Sequence, residues 1–334
     1  MINVEIPPIG EECVTTLTNE EQSIIKSCGD TLPRLDPSRL DDDSIFTSVG
    51  LARRAIPQRL AAKLIDFRRN SNDYGTLLIR NLPVDRELPP TAGNEKILFS
   101  KTPVSEYNLL LLMTYLGEPI AYADEKEGMI IQNIVPVPGN EDKQENTGSV
   151  FLEFHTEDGF HPYKPDYVGL LCLRSDHDHQ AVTATASIRR ALHKIPDHLI
   201  THLREPLYEI RLCSSFLKDG RHASYSPLMP ILRGDSLEPE LCIDFHAMRA
   251  VNEEAKIAFE GLKAALLGVL VGQILLPGDM IIIDNRVAAH ARTAFQPRYD
   301  ENDRWLQRMF VVEDFRRSQP GRPQRSHVCR PLTW

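Results

Sequence analysis

Residues 272–295 read GQILLPGDMIIIDNRVAAHARTAF. Apolar runs flank Pro277-Gly278-Asp279, which makes the stretch a strand, a tight turn and a second strand. Proline presets its own φ, and glycine supplies a positive φ at no steric cost. Outward from it, further strand-like runs lie at Tyr74–Leu82, Met129–Val137, Val150–Glu157, Tyr167–Arg174, Tyr208–Cys213, Leu241–Phe245 and Arg304–Glu313. Helices are predicted at Ser48–Arg69, Ser105–Leu116, Ser187–Leu203 and Asn252–Val271. The first of these rests on Leu51, Ile56, Leu60, Leu64, Ile65 and Phe67, which recur at about the helical spacing. Many strands with few covering helices predict a mainly β fold with flanking helices. Its core would be a double-stranded β-helix, or jelly roll. Residues 1–45 are polar and aperiodic and read as a weakly ordered or peripheral segment. Residues 46–334 read as a single domain with helical insertions. The basic tail FRRSQPGRPQRSHVCR reads as a solvated extension.

Composition narrows the class of function. The chain has 334 residues, 42% hydrophobic and 25% charged, as ordinary soluble domains do. No apolar run approaches the roughly 18 residues of a membrane span, and the acidic start predicts no secretory signal. Six cysteines are scattered without a CxxC pair, which fits a reducing cytoplasm and disfavours a zinc ribbon. A net charge of −9 disfavours a nucleic-acid surface. These features point to a cytoplasmic protein.

Three residues carry the chemistry. Alternation along Val150–Glu157 puts His155 and Glu157 on one face and Thr156 on the other. His290 follows the strand Met280–Asn285 and is the candidate third ligand. Two imidazoles and a carboxylate suit ferrous iron and leave three octahedral positions open. The HxE pair alone is common. The order adds the specificity: a strand-borne HxE, a Pro-Gly-Asp strand pair, a distal histidine, then Arg304. The competing reading is a hydrogen-bonded surface pair and a loop histidine. His177 and His179 read as a polar turn, His193, His198 and His202 as surface residues, and His161 as a neighbour of the triad.

On a strand, Arg304 and Arg308 share a face, about 13 Å apart from the strand rise. Buried arginines are costly without an anion, and a guanidinium fork binds carboxylate bidentately. Two inward arginines therefore imply two carboxylates, one of them from an acidic cosubstrate such as 2-oxoglutarate. The alternative is a surface strand with two solvated arginines.

The segments VFLEFHTEDGFHPYKPDYVGLLCLR, IIIDNRVAAHARTAFQPRYDENDRWLQR and GTLLIRNLP resemble the clavaminate synthase-like iron- and 2-oxoglutarate-dependent oxygenases. Within that family the chain is most similar to hydroxylases of free amino acids, and LREPLYEIRLCSSFLKDGR most resembles the lysine hydroxylases. The likeness spans about Tyr74 to Phe315. It implies that His155, Glu157 and His290 hold Fe(II), and that Arg304 and Thr183 hold 2-oxoglutarate. It further implies that Arg308 meets the substrate α-carboxylate, Glu125 its amino group, and Asp244 its cationic side chain. Ser215 would lie in a lid loop near 211–225. Arginine-specific relatives carry a second acid where this chain has His246, and another at Cys213. A compact ammonium needs fewer acids than a guanidinium. The resemblance thus implies hydroxylation of a free L-amino acid at C3 or C4 with O₂, giving succinate and CO₂. L-lysine leads, with L-arginine or a neutral analogue such as citrulline as alternatives. Relatives that halogenate lack the carboxylate ligand, so Glu157 favours hydroxylation. Such hydroxylases often serve natural-product biosynthesis. A zinc hydrolase using the same triad, or a non-catalytic binding protein on the same fold, are the rival classes. The first leaves the Arg304/Arg308 face unexplained, and the second fits poorly with an intact triad.

Overall fold

The computed structural model describes residues 6–36, 39–91, 103–217 and 224–333. The stretch around Pro-Gly-Asp organises it. β12 (Val271–Ile274) and β14 (Ala288–Arg292) belong to a four-stranded sheet, whereas β13 (Met280–Asp284) between them belongs to an eight-stranded one. The chain crosses from one sheet to the other at Gly278, whose φ is +88°. The smaller sheet runs β12, β7 (Val182–Ser187), β14, β5 (Leu152–His155). The larger runs β1 (Val14–Thr16), β2 (Thr76–Arg80), β13, β6 (Tyr167–Arg174), β15 (Trp305–Val312), β3 (Glu118–Tyr122), β16 (Val328–Cys329). In that sheet β4 (Ile131–Ile134) also pairs with β15. Pairing is antiparallel except for β1 on β2 and β16 on β3. Two further antiparallel pairs stand apart from these sheets: the hairpin β9 (Leu232–Gly234) with β10 (Pro239–Leu241), and β8 (Tyr208–Ile210) with β11 (Met248–Ala250). This is the jelly-roll class that the strand count predicts.

The larger sheet has two packed faces. On β15, Leu306 and Phe310 join the core between the sheets, while Trp305, Met309 and Val311 join a second core under the helices. That outer layer is α1 (Asn19–Asp30), α2 (Asp43–Ala52), α3 (Gln58–Asn70) and α4 (Val104–Met113). α3 buries Leu60, Leu64 and Phe67, each side chain contributing about 1.5–3 kcal/mol. α4 approaches β6 so closely that a Cβ on Gly169 would lie 2.5 Å from Met113 Sδ. α5 (Ile188–Ala191), α6 (Asp197–Leu203) and α7 (Glu253–Leu267) cover the smaller sheet.

Several expectations are corrected. The segment taken as weakly ordered supplies β1 and α1, and α1 opens with a Thr18/Glu21 capping box that satisfies two free amides. Ile25 is fully buried. The helix expected over 48–69 is two helices, because the residue before Pro57 cannot stay helical. Pro196 divides the helix expected over 187–203 in the same way. The strand expected at Leu241–Phe245 ends at Leu241, and Asp244 makes an isolated bridge to His155. The basic tail is solvated only in part: Arg316, Arg317, Arg325 and Arg330 are exposed, but Arg322 and His327 are buried and β16 pairs with β3. Of the lid expected near 211–225, residues 218–223 lie outside the described residues.

Candidate active site

Strand pairing brings the histidines together. β14 lies against β5 with His290 directly opposite His155, and their rings are 4.3 Å apart. His155 Nδ1 lies 2.9 Å from the Glu153 carbonyl. A carbonyl only accepts, so the proton is on Nδ1 and Nε2 is left as a ligand atom. Glu157 falls two residues past the end of β5, so sheet alternation does not fix it. Asn285 does: its Oδ1 accepts from Glu157 N at 2.7 Å, and its Nδ2 donates to the Glu157 and Pro165 carbonyls. Glu157 Oε2 then sits 3.5 Å from His290 Nε2. One ligand atom each from His155, Glu157 and His290 lies within 4.8 Å of the others. Burial and the His155 ring hold His290 below the ordinary histidine range, despite Glu157. It is therefore neutral and able to ligate. Two imidazoles and one carboxylate, oriented by backbone and amide contacts, fit Fe(II) with one side open.

The open side faces a cavity of about 1110 Å³. At one end stand Arg304, Arg292 and Thr183. Both arginines are buried. Arg304 has no hydrogen bond or ion pair to any described residue, and burial depresses its pKa. Burial and the neighbouring Arg304 push Arg292 down to about 9. Thr183 Oγ1 is buried without a partner. A dianionic cosubstrate fits this end, because unpaired buried cations call for an anion.

Toward the other end, Arg308 is saturated. Its Nε donates to Gln132 Oε1 at 3.0 Å, one terminal nitrogen to Glu157 Oε1 at 2.9 Å, and the other to Glu125 and Gln132. With its amide oxygen turned inward, Asn146 accepts from both terminal nitrogens at 3.1 and 3.2 Å. Burial opposes the charge on Arg308, yet Glu125 and Glu157 outweigh it and raise its pKa. Burial, with Arg308 opposing, raises that of Glu125. Burial and the two glutamates raise Asp158 well above the carboxylate range. Glu125 Oε2 and Asp158 Oδ2 lack partners.

Asp244 lines the same cavity, half-buried. Its Oδ1 caps a turn, accepting from His246 N at 2.9 Å and Ala247 N at 2.6 Å. His246 is exposed, and its Nε2 lies 3.3 Å from an Arg211 nitrogen. Ser215 Oγ lies 3.1 Å from Cys213 Sγ at the rim. Every residue to which the sequence assigned an iron, cosubstrate or substrate role therefore lines this one cavity, whereas His161 does not. Unforeseen are Arg292, Gln132, Asn146 and Asp158. Arg292 was legible as the next inward position after His290 on the same strand. Gln132 and Asn146 carried no local signal.

The chain matches the model of the taurine catabolism dioxygenase TauD, TfdA family over residues 54–310. It belongs to that family. It is a 2-oxoglutarate-dependent non-haem iron oxygenase. An L-asparagine oxygenase of Streptomyces coelicolor is 38% identical over 314 residues, covering 94% of this chain and 93% of the relative. An L-lysine 3-hydroxylase of Catenulispora acidiphila is 37% identical over 278 residues, covering 81% and 76%. The crystal structure of asparagine oxygenase with Fe(II), (2S,3S)-3-hydroxyasparagine and succinate superposes with a TM-score of 0.88. It is 36% identical and covers 96% of this chain and 100% of its own. The family expected from the three motifs is the one found.

Proposed function

We propose that this dioxygenase hydroxylates a free L-amino acid whose side chain ends in a nitrogen donor, L-lysine first. His155, Glu157 and His290 would hold Fe(II), and Arg304 with Thr183 would hold 2-oxoglutarate. Iron with 2-oxoglutarate and O₂ supplies the oxidising power that replaces a C–H bond by C–OH, releasing succinate and CO₂. The protein's share is position. The Arg308–Glu125 pair offers a cation to the substrate carboxylate and an acid to its ammonium. Rigid strands keep one C–H next to the metal, since small displacements cost large factors in rate.

The observation that carries the substrate reading is Asp244. One of its oxygens is spent on the turn, and the other has no partner among the described residues. A single free oxygen serves an ammonium or a carboxamide N–H. It serves a bidentate guanidinium poorly, which argues against arginine. A second reading, L-asparagine, is favoured by the Arg211–His246 contact beside Asp244, which weighs against a second cation. The 38% identical asparagine oxygenase supports it too.

Purified protein with Fe(II), 2-oxoglutarate and O₂, offered lysine, asparagine, arginine and citrulline together, is expected to add one oxygen to lysine, as read by mass. Oxygen on asparagine alone replaces the first reading with the second, and oxygen on arginine or citrulline overturns both. His155→Ala should abolish succinate formation, a loss of about a thousandfold or more. Asp244→Asn keeps the turn cap and removes the charge. It should slow lysine turnover about tenfold or more and spare a carboxamide substrate.

A further inference from the structure

Among the described residues Arg292 has no counter-charge. It is 5% exposed, and among its five N–H groups one terminal nitrogen donates to the Val150 carbonyl at 2.8 Å. Its Nε is buried with no partner. The charged group that faces it is another cation, Arg304. Both guanidiniums flank one ring, Arg292 at 5.0 Å and Arg304 at 5.8 Å from the Phe295 centroid. Directly across the strand pair from Arg292 is Thr183, whose buried hydroxyl is also unpartnered. A structural peg for the Val150 loop would use one N–H and would not require a second buried cation beside Arg304. Two like charges out of water are tolerated where an anion sits between them. A carboxylate has two oxygens and about four acceptor sites, enough for two forks.

We infer that Arg292 is a second arginine of the cosubstrate site, closing with Arg304 on the distal carboxylate of 2-oxoglutarate. The inference rests on the reading in which Arg304 holds that carboxylate. Succinate keeps the same group, so the pair also governs product retention.

The test compares 2-oxoglutarate with 2-oxopentanoate, which has a methyl group in place of the distal carboxylate. Binding of each to Ni(II)-loaded protein is measured by calorimetry for the wild type, Arg292→Gln and Arg304→Gln. Arg292→Gln is expected to shrink the preference for the dicarboxylate by about tenfold or more, with 2-oxopentanoate affinity changed less than about twofold. Equal weakening of both ligands assigns Arg292 a structural role and overturns the inference, as does an unchanged preference. If Arg304→Gln loses the preference while Arg292→Gln keeps it, this inference fails and the Arg304 reading stands. If neither loses it, the Arg304 reading itself fails. Should Arg292→Gln not fold, Arg292→Lys carries the same comparison, because it keeps the charge and loses the fork. A reduced preference supports the inference, and equal weakening overturns it.

Discussion

The two ends of the cavity bury charge in opposite ways. At the basic end Arg292 and Arg304 make no ion pair with any described residue, Asp176 acting on Arg304 only at longer range, and they stand beside an unpartnered Thr183 hydroxyl. At the acidic end Arg308 is fully engaged by Glu157, Glu125 and Gln132. A buried charge without an ion pair is costly, so an anion placed there would gain much. A paired charge gains little from a second partner of the same sign. A ligand entering the acidic end does best by replacing both halves of the pair, which a zwitterion can do. The contrast gives a physical reason for one cavity to sort a dicarboxylate from an amino acid, although both carry carboxylates.

The strongest way to break this contrast is at the basic end. Arg304→Gln should raise the KM for 2-oxoglutarate about a hundredfold, as for loss of a charged hydrogen-bonded partner, and leave the KM for the amino acid nearly unchanged. Parallel rises in both constants would mean that the two ends are not separate sites.

The wall behind the acidic end offers a second test. His161 packs at a tilt against Tyr122 with ring centroids 4.2 Å apart, and its Nδ1 accepts from Tyr163 N. Burial lowers its pKa to about 3, with Asp124 opposing. The folded state thus refuses a proton that the unfolded chain accepts near pH 6.5. The neutral ring's contribution is present above that pH and is lost as the pH falls toward 3. By pH 5 the loss is about 2 kcal/mol. Denaturant midpoints at pH 7 and pH 5 should differ by that much more in the wild type than in His161→Gln. Equal differences would show that water reaches this wall and that the acidic end is less enclosed than its burial implies.

The smallest effect sharpens the zwitterion reading. Glu125→Gln should raise the KM for the amino acid about tenfold, as one charge-assisted contact is weakened, with 2-oxoglutarate binding untouched. The penalty should vanish for a substrate analogue lacking the α-amino group. If it persists, Glu125 serves Arg308 rather than the substrate.

Much of the site was readable before the structure, because its signals are local. Alternation put Arg304, Leu306 and Arg308 on one face of β15, and all three line the cavity while Trp305 and Gln307 turn away. The Pro-Gly-Asp turn was legible as a turn between strands, but not that it carries the chain from one sheet to the other. The break at Pro57 was also local, and hydrophobic periodicity masked it. The ordering of residues 6–36 was not legible from polarity: β1 is held by backbone pairing to β2, which no side-chain pattern encodes.

The sequence alone determined the ligand types and, through its resemblance, the family and therefore the iron and 2-oxoglutarate chemistry. Those follow from residue identity and short-range alternation. Only the tertiary structure decided which charges are compensated. Arg292 faces Arg304 across twelve residues of chain, Arg308 meets Glu157 from another sheet, and Asn285 sets the Glu157 turn from 128 positions away. Charge compensation is a property of distance and burial in three dimensions, so identical arginines, Arg292 and Arg304 at one end and Arg308 at the other, are left without an ion pair in one place and fully paired in the other.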